Sequence, residues 1–221
     1  MGELLTRNTG LLRQEVAAHV SADQVRQRVY WDAENQHGCF IGCLNHSNDP
    51  TRAEAKYGIS VMVQRIAESI FERLPAEEAV AFFAAFPDAV QCDGKDLSRV
   101  GWQFLAAELR SLPPQDAAIQ AVIDPVIAGM DLLAQGLTWD HAAARAADAA
   151  ADAAADAAAD AAAGAAAGAA AWAARAAAWA AQAAANAAAR FAAWAAADAA
   201  ATRRQRDLLL RLIAEAEVSH G

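Results

Sequence analysis

Between residues 142 and 201 about three-quarters of the positions are alanine, and a larger residue interrupts every third or fourth place. Asp148, Asp152, Asp156, Asp160, Gly164, Gly168 and Trp172 stand four apart. Arg175, Trp179, Gln182, Asn186, Arg190, Trp194 and Asp198 continue at threes and fours. Alanine is the strongest helix former and this spacing is the helical repeat, so the tract is predicted to be helical. Thr138 or Asp140 is placed to cap it. Unbroken to about Glu215, such a helix would be roughly 110 Å long, beyond the span of a globular domain. Gly164 and Gly168 mark where it can bend. Either one long helix or a helical hairpin is therefore expected. A nearly pure alanine surface carries few groups able to do chemistry, but it permits close backbone approach, which points to packing or docking.

Bulky apolar residues are concentrated ahead of this tract, between Leu11 and Leu137. The expected fold is all-α: a compact bundle of short helices over residues 1–136, followed by an alanine-rich helical arm over residues 137–221. Helices are predicted at residues 10–20 and 22–31, the second with a capping-box pair in Ser21 and Gln24. Residues 32–50 read as an irregular loop. Val63, Ile66, Ile70 and Leu74 give residues 60–74 a helical stripe, and Pro75 suits the start of the next helix, which carries Val80, Phe82, Phe83 and Phe86. Asp93-Gly94 marks a turn, and Asp96 or Ser98 is placed to cap a helix bearing Val100, Phe104, Leu105 and Leu109. Pro125 is expected to divide residues 119–133 into two short helices, with Gly136 as a C-cap. Any strands are marginal. Thr202 to Arg206 read as a solvated, basic helix end.

The formal charge of −9 argues against direct binding of nucleic acid, which needs a basic footprint. It is compatible with solubility, the ordinary reading of an acid-rich chain, with a basic protein partner, or with mimicry of nucleic acid. Three cysteines make no disulfide framework, and no stretch resembles a cleaved secretory signal, so the expected location is the cytoplasm. Uncharged stretches of the alanine tract fall short of the roughly 20 residues a membrane span requires.

Reactive side chains cluster in His37-Gly38-Cys39-Phe40-Ile41-Gly42-Cys43-Leu44-Asn45-His46. Cys39, Cys43 and His46 are the candidate metal ligands, with His37 as a fourth, and sulfur with imidazole favours zinc. The reading preferred here is structural, with no bound metal or other cofactor. Cys39, Phe40, Ile41 and Leu44 then enter a core, and Gly38 and Gly42 allow a tight path. A helix beginning in this stretch would set Cys39 and Cys43 on one face. Glu68 and Glu72, one turn apart, read as solvated residues on the polar face of a helix, and Asp96 is a further acid to consider. Cys92 stands alone beside a turn. Phosphate-loop, dinucleotide-fold, nucleophile-elbow and zinc-protease motifs are not found in the sequence. In the arm, Trp172, Trp179 and Trp194 are the candidate anchors, and Asp148, Asp152, Asp156 and Asp160 the candidate charged contacts.

Tyr30-Trp31, the run Gly38-Cys39-Phe40-Ile41-Gly42-Cys43 with His46-Ser47, Gly58-Ile59, residues 70–75, and Asp96-Leu97-Ser98 with Phe104-Leu105 together resemble a family of uncharacterised bacterial and phage proteins. That family carries a Gly-Cys-x-x-Gly-Cys-x-x-His-Ser motif near the front and an Ala-rich repeat at the back. The tail also resembles those of some immunity proteins. The resemblance covers residues 8–133 and implies a phage or prophage setting. Family members carry a further histidine soon after the His-Ser pair, and this chain has none there.

These readings converge on a non-enzymatic protein-binding protein, a phage-encoded inhibitor of a bacterial defence complex such as a CRISPR effector, acting in the host cytoplasm and forming a homodimer. The alternatives are a metal- or thiol-dependent enzyme centred on Cys39, Cys43 and His46, and a structural protein that assembles with itself.

Overall fold

The computed structural model describes residues 4–113, 117–140, 142, 143, 146, 149, 150 and 180–219; at 118 and 180–197 only the backbone is described. Among these residues the chain is mostly helical. The helices are α1 (Thr9–Ser21), α2 (Phe40–Asn45), α3 (Thr51–Tyr57), α4 (Val61–Arg73), α5 (Ala76–Val90), α6 (Val100–Arg110), α7 (Ala117–Ala134) and α8 (Ala180–Glu215). One small antiparallel hairpin pairs β1 (Trp31–Asp32) with β2 (His37–Gly38), Trp31 opposite Gly38 and Asp32 opposite His37. Whether the alanine tract is a single helix or a hairpin turns on residues outside those described. The chain divides into two units, Met1–Leu105 with Ala199–Gly221, and Ala106–Asp198.

The first unit is organised around α2. All six residues of this helix, Phe-Ile-Gly-Cys-Leu-Asn, are buried. α1 and α4 pack on it, and each of these also packs on α5. Phe40 sits among Phe71 of α4 and Phe82, Phe83 and Phe86 of α5, with ring centres 5.1 to 6.1 Å apart and three of the four pairs edge-to-face. These are the separations aromatic pairs prefer. The helical stripe of α4 places Val63, Ala67, Ile70 and Phe71 inward, and Ser60 caps that helix by accepting from the Val63 N–H.

Residues 22–30 are not the helix that the sequence suggested. Val25 is their one buried side chain, too little for an amphipathic helix to bury. Asp23 and Arg28 take positive φ. The segment is held from outside: the Gln27 amide donates to Phe71 O and Leu74 O, and the Arg26 N–H to Gly38 O. Ser21 is the last residue of α1, so the expected capping box does not operate. The stretch expected to be irregular, residues 32–50, contains the hairpin and α2.

Composition placed a boundary at residue 136, but the segment from Ala199 onward belongs to the first unit. Leu209 and Ile213, one turn apart on α8, are fully buried in its core. The basic run is correspondingly tied down: Arg203 and Arg206 donate to the Glu78 carboxylate in the first turn of α5, and Arg73 donates to Gln205. Beyond the helix, Asp96 N–H donates to Glu217 O and Ser219 N–H to Gly94 O. The buried Lys95 donates its ammonium to the Ile213 and Ala214 carbonyls, which lack partners within the helix.

In the second unit α7 runs through Pro125 without dividing. Pro125 and Ala121, whose carbonyl loses its partner, lie on the exposed side, where water replaces the missing bond. Gly136, at φ 77°, closes α7, with Leu137 N–H reaching back to Leu132 O. Asp140 accepts from the Ala142 and Ala143 N–H groups, the cap expected at the head of the alanine tract.

Gly38 and Gly42 face the backbone of Tyr30 and Trp31, and a Cβ at Gly42 would overlap the Tyr30 carbonyl. Glycine to alanine inside a helix ordinarily gains about 1 kcal/mol. Here overlap with backbone reverses the sign, and Gly42→Ala is expected to cost about 3 kcal/mol, read as a lower urea midpoint with unchanged slope. A midpoint equal to or above the parent's would contradict this packing.

Candidate functional site

The segment that enters α2 determines where the reactive groups go. Cys39 is the N-cap residue of α2 and Cys43 lies one turn on, so both thiols sit on the inward side and are almost wholly buried. The Cys43 Sγ donates to Gly38 O at 3.1 Å, and the Cys39 Sγ approaches Tyr30 O at 3.6 Å. Burial, and after it the neighbouring Glu68, pushes the Cys39 thiol up to about 12. Burial pushes Cys43 up to about 12 as well. Neither is a nucleophile at neutral pH, since the thiolate is the reactive form.

Glu68 is not a solvated helix residue. Its carboxylate accepts the Ile41 N–H at 2.8 Å and so caps the buried end of α2. Burial raises its pKa despite the hydrogen bonds from Cys39 and Ile41. Glu72 accepts the Arg28 N–H at 2.9 and 3.1 Å and anchors the segment before the hairpin. Asp96 accepts the Ser98 N–H at 2.9 Å. Among the described residues, the one group of three side chains converging within 4.8 Å as a metal site requires is Cys39, Glu68 and Glu72. Cys43 and His46 are not part of it, so the candidate set of Cys39, Cys43 and His46 is not among the groups that converge. α2 ends at His46 in a left-handed turn (φ 48°), and the imidazole there lies against His19 and Trp31. His37 lies 3.7 Å from Asp32 across the hairpin.

His46 joins a cluster that the sequence did not single out. Its Nε2 lies 2.8 Å from Nε2 of His19 on α1, and its ring stacks on Trp31 with centres 5.0 Å apart. Trp31 also meets the His19 ring edge-on at 6.0 Å. The His19 Nδ1 donates to Gln24 Oε1 at 2.9 Å. One turn before His19, the Glu15 carboxylate accepts from Lys56 Nζ at 2.6 and 2.8 Å and from the Tyr57 hydroxyl, both on α3. Burial raises the Glu15 pKa, but the bonds from Lys56 and Tyr57 and the Lys56 charge outweigh it and hold it low. Burial, and then the Glu15 carboxylate, pushes the Tyr57 phenol well above its usual range. Burial, and then the charge of His46, lowers His19. The four-residue step from Glu15 to His19 was a visible sign that they share a face; their partners, 27 to 42 residues away, left no mark in the sequence.

The arm candidates Asp148, Asp152, Asp156, Asp160, Trp172 and Trp179 lie outside the described residues, and for Trp194 only the backbone, within α8, is described. No helix among the described residues is long and apolar enough to cross a membrane. No protein-family model, curated protein or solved structure matches this chain.

Cys92 is exposed, whereas Cys39 and Cys43 are buried and protonated. Ellman's reagent is therefore expected to titrate one thiol rapidly in the folded protein and two more only in denaturant. Rapid reaction of all three would overturn this assignment. Glu68 offers a test of sign. With its pKa raised above 4.5, the folded state binds more protons than the unfolded chain above that pH, so this group's contribution to stability falls as pH rises. Glu68→Gln keeps an acceptor for Ile41 and removes the buried charge. Urea unfolding is expected to show a variant at least as stable as the parent at neutral pH, losing less stability between about pH 4.5 and 7.

Proposed function

We propose that this chain acts by binding another protein, and that it is a phage-encoded inhibitor of a bacterial defence complex. The observation that carries the binding reading is the apolar surface of the second unit. Leu112, Ile119 and Leu137 are 47%, 42% and 53% exposed there. Leu112 also lines a groove of about 380 Å³, with Leu109, Ile123 and Ile127 and the polar Arg110, Gln120 and Asp124. Exposed apolar residues grouped around a groove are characteristic of protein-binding surfaces. The partner is one with basic groups, as a complex that handles nucleic acid has, because the chain carries 27 acids against 18 basic residues. The resemblance to phage proteins supports the setting. The alanine arm extends the surface, with Asp148, Asp152, Asp156 and Asp160 meeting basic groups and Trp172, Trp179 and Trp194 as anchors. The enzyme reading has less support, because Cys39, Cys43 and His46 do not converge and both thiols are held protonated.

The test uses the full chain against purified CRISPR effector complexes and measures both binding and target cleavage. Binding is expected to block cleavage and to weaken with salt. Changing the four arm aspartates to lysine is expected to flatten that salt dependence. Each tryptophan-to-alanine change is expected to speed dissociation about tenfold or more. Ile119→Asp is expected to abolish binding while circular dichroism stays unchanged. Wild-type affinity in all these variants would leave the arm as a self-assembly strut and reject the proposed surface.

A further inference from the structure

We infer that the His19–His46 pair is an acid-sensitive latch: with one proton between the two ring nitrogens it fastens α1 to the end of α2, and with two protons it opens and frees Trp31. This goes beyond the binding reading and does not depend on it.

The geometry distinguishes a proton from a metal ion. The Nε2 atoms are 2.8 Å apart while the ring centres are 5.0 Å apart, so the imidazoles meet nearly head-on, along the line of an N–H···N bond. Two nitrogens each about 2 Å from a shared tetrahedral ion would stand about 3.3 Å apart, so the 2.8 Å separation fits the hydrogen bond. The direction of the bond follows from Gln24. Its Oε1 faces His19 Nδ1 at 2.9 Å, which assigns a proton to Nδ1 and leaves Nε2 of His19 as the acceptor. His46 is then the donor.

His46 is exposed, and a proton added at its Nδ1 leaves the bond in place, the resulting cation donating more strongly. The second proton has only the acceptor nitrogen of His19, which is 7% exposed and faces that cation. Binding it there sets N–H against N–H, and the bond is lost. Of the surrounding charges Glu15 favours the proton on His19, but burial and the charge of His46 outweigh it. Glu15 on α1 is already paired with Lys56 and Tyr57 of α3. The hairpin brings the uncharged Trp31, with Asp32 paired to His37. α2 brings Asn45 and the protonated Cys43. Since His19 is lowered from 6.5, its contribution to stability is complete above that pH and is lost as pH falls through its value in the folded protein. The moving part is the His46 turn, held at φ 48° between the His19 bond and the Trp31 stack. On opening, Trp31 joins the 64% exposed Tyr30 as an aromatic surface.

The test is an NMR titration of the full chain from about pH 8 to about pH 4, following both imidazole nitrogens and the Trp31 indole. Two separate steps are expected. The Trp31 signal should shift reversibly with the second step alone. In His46→Gln the introduced side-chain amide donates an N–H to His19 and, after rotation, accepts from the protonated ring. The Trp31 shift should then disappear and the His19 midpoint rise. His46→Ala should show the open Trp31 signal already at pH 8, and in His19→Gln the Trp31 shift should likewise disappear. A single common step, a Trp31 signal unmoved through both steps, or stoichiometric zinc lost in both glutamine variants would each overturn the latch.

Discussion

A six-residue helix buried on every side is the constraint from which the first unit follows. α2 brings Phe40, Ile41, Cys43 and Leu44 into the core, and with them backbone groups at both ends that helical bonding leaves unmatched. Water cannot supply the partners, so the surrounding elements must. Glu68 of α4 takes the Ile41 N–H at one end. At the other, the Asn45 amide donates to Ile41 O and to Gln64 Oε1, while its oxygen accepts the Ala53 N–H. Gln64, fully buried, in turn donates to Pro50 O and Ile59 O. No buried side-chain nitrogen or oxygen among the described residues lacks a partner. One short helix thereby sets the positions of α3, α4 and the loop between them.

This arrangement also decides the fate of the chemistry-bearing residues. A carboxylate that caps a buried helix must be partly desolvated, which raises the Glu68 pKa, and the neighbouring Cys39 thiol is held protonated by its own burial and then by that carboxylate. Sulfur this close to a carboxylate in a dry core is poorly suited to attack. The glycines serve the same packing: without Cβ atoms at 38 and 42, the Tyr30–Trp31 backbone lies directly on α2, and Trp31 reaches both histidines. The motif that looked most like a reactive centre is thus a packing motif, and the histidine at its end belongs to a different cluster.

What could be read in the sequence follows the same division between local and distant causes. α4 and α5 announce themselves through their apolar stripes and the residues that start them, and Gly136 and Asp140 mark their turns as expected, because those signals lie within a few residues of what they control. α2 has no polar face, so periodicity could not reveal it. Residues 22–30 have ordinary helix formers but only Val25 to bury, and bonds to α4 prevail over propensity. The pairing of His19 with His46 spans 27 residues, and Glu68 reaches Ile41 over the same separation. In both cases the residue types were visible and the contact was not. The return of α8 was masked by alanine: Leu209 and Ile213 are a normal core stripe, but they follow a tract that reads as an appendage.

Charge connects this core to the surface proposed for binding. The acids exceed the basic residues by 27 − 18 = 9. Several cations of the first unit face inward to their own partners, Lys56 to Glu15 and Arg203 and Arg206 to Glu78. Such half-exposed pairs contribute little to stability, but they cancel local fields where they form. Lys95 goes further: its ammonium is buried against the carbonyls that end α8, not against a carboxylate. Its charge balances backbone dipoles inside the protein and leaves the exterior more acidic than a residue count conveys. In the sequence, Asp148, Asp152, Asp156 and Asp160 add a row that no basic residue interrupts until Arg175. An excess distributed in this way steers a basic partner over distances comparable to the Debye length before any apolar contact forms. In the proposed complex long-range attraction would set the encounter rate, and the leucine and isoleucine surface of the second unit, with the arm's tryptophans, would set how long it lasts.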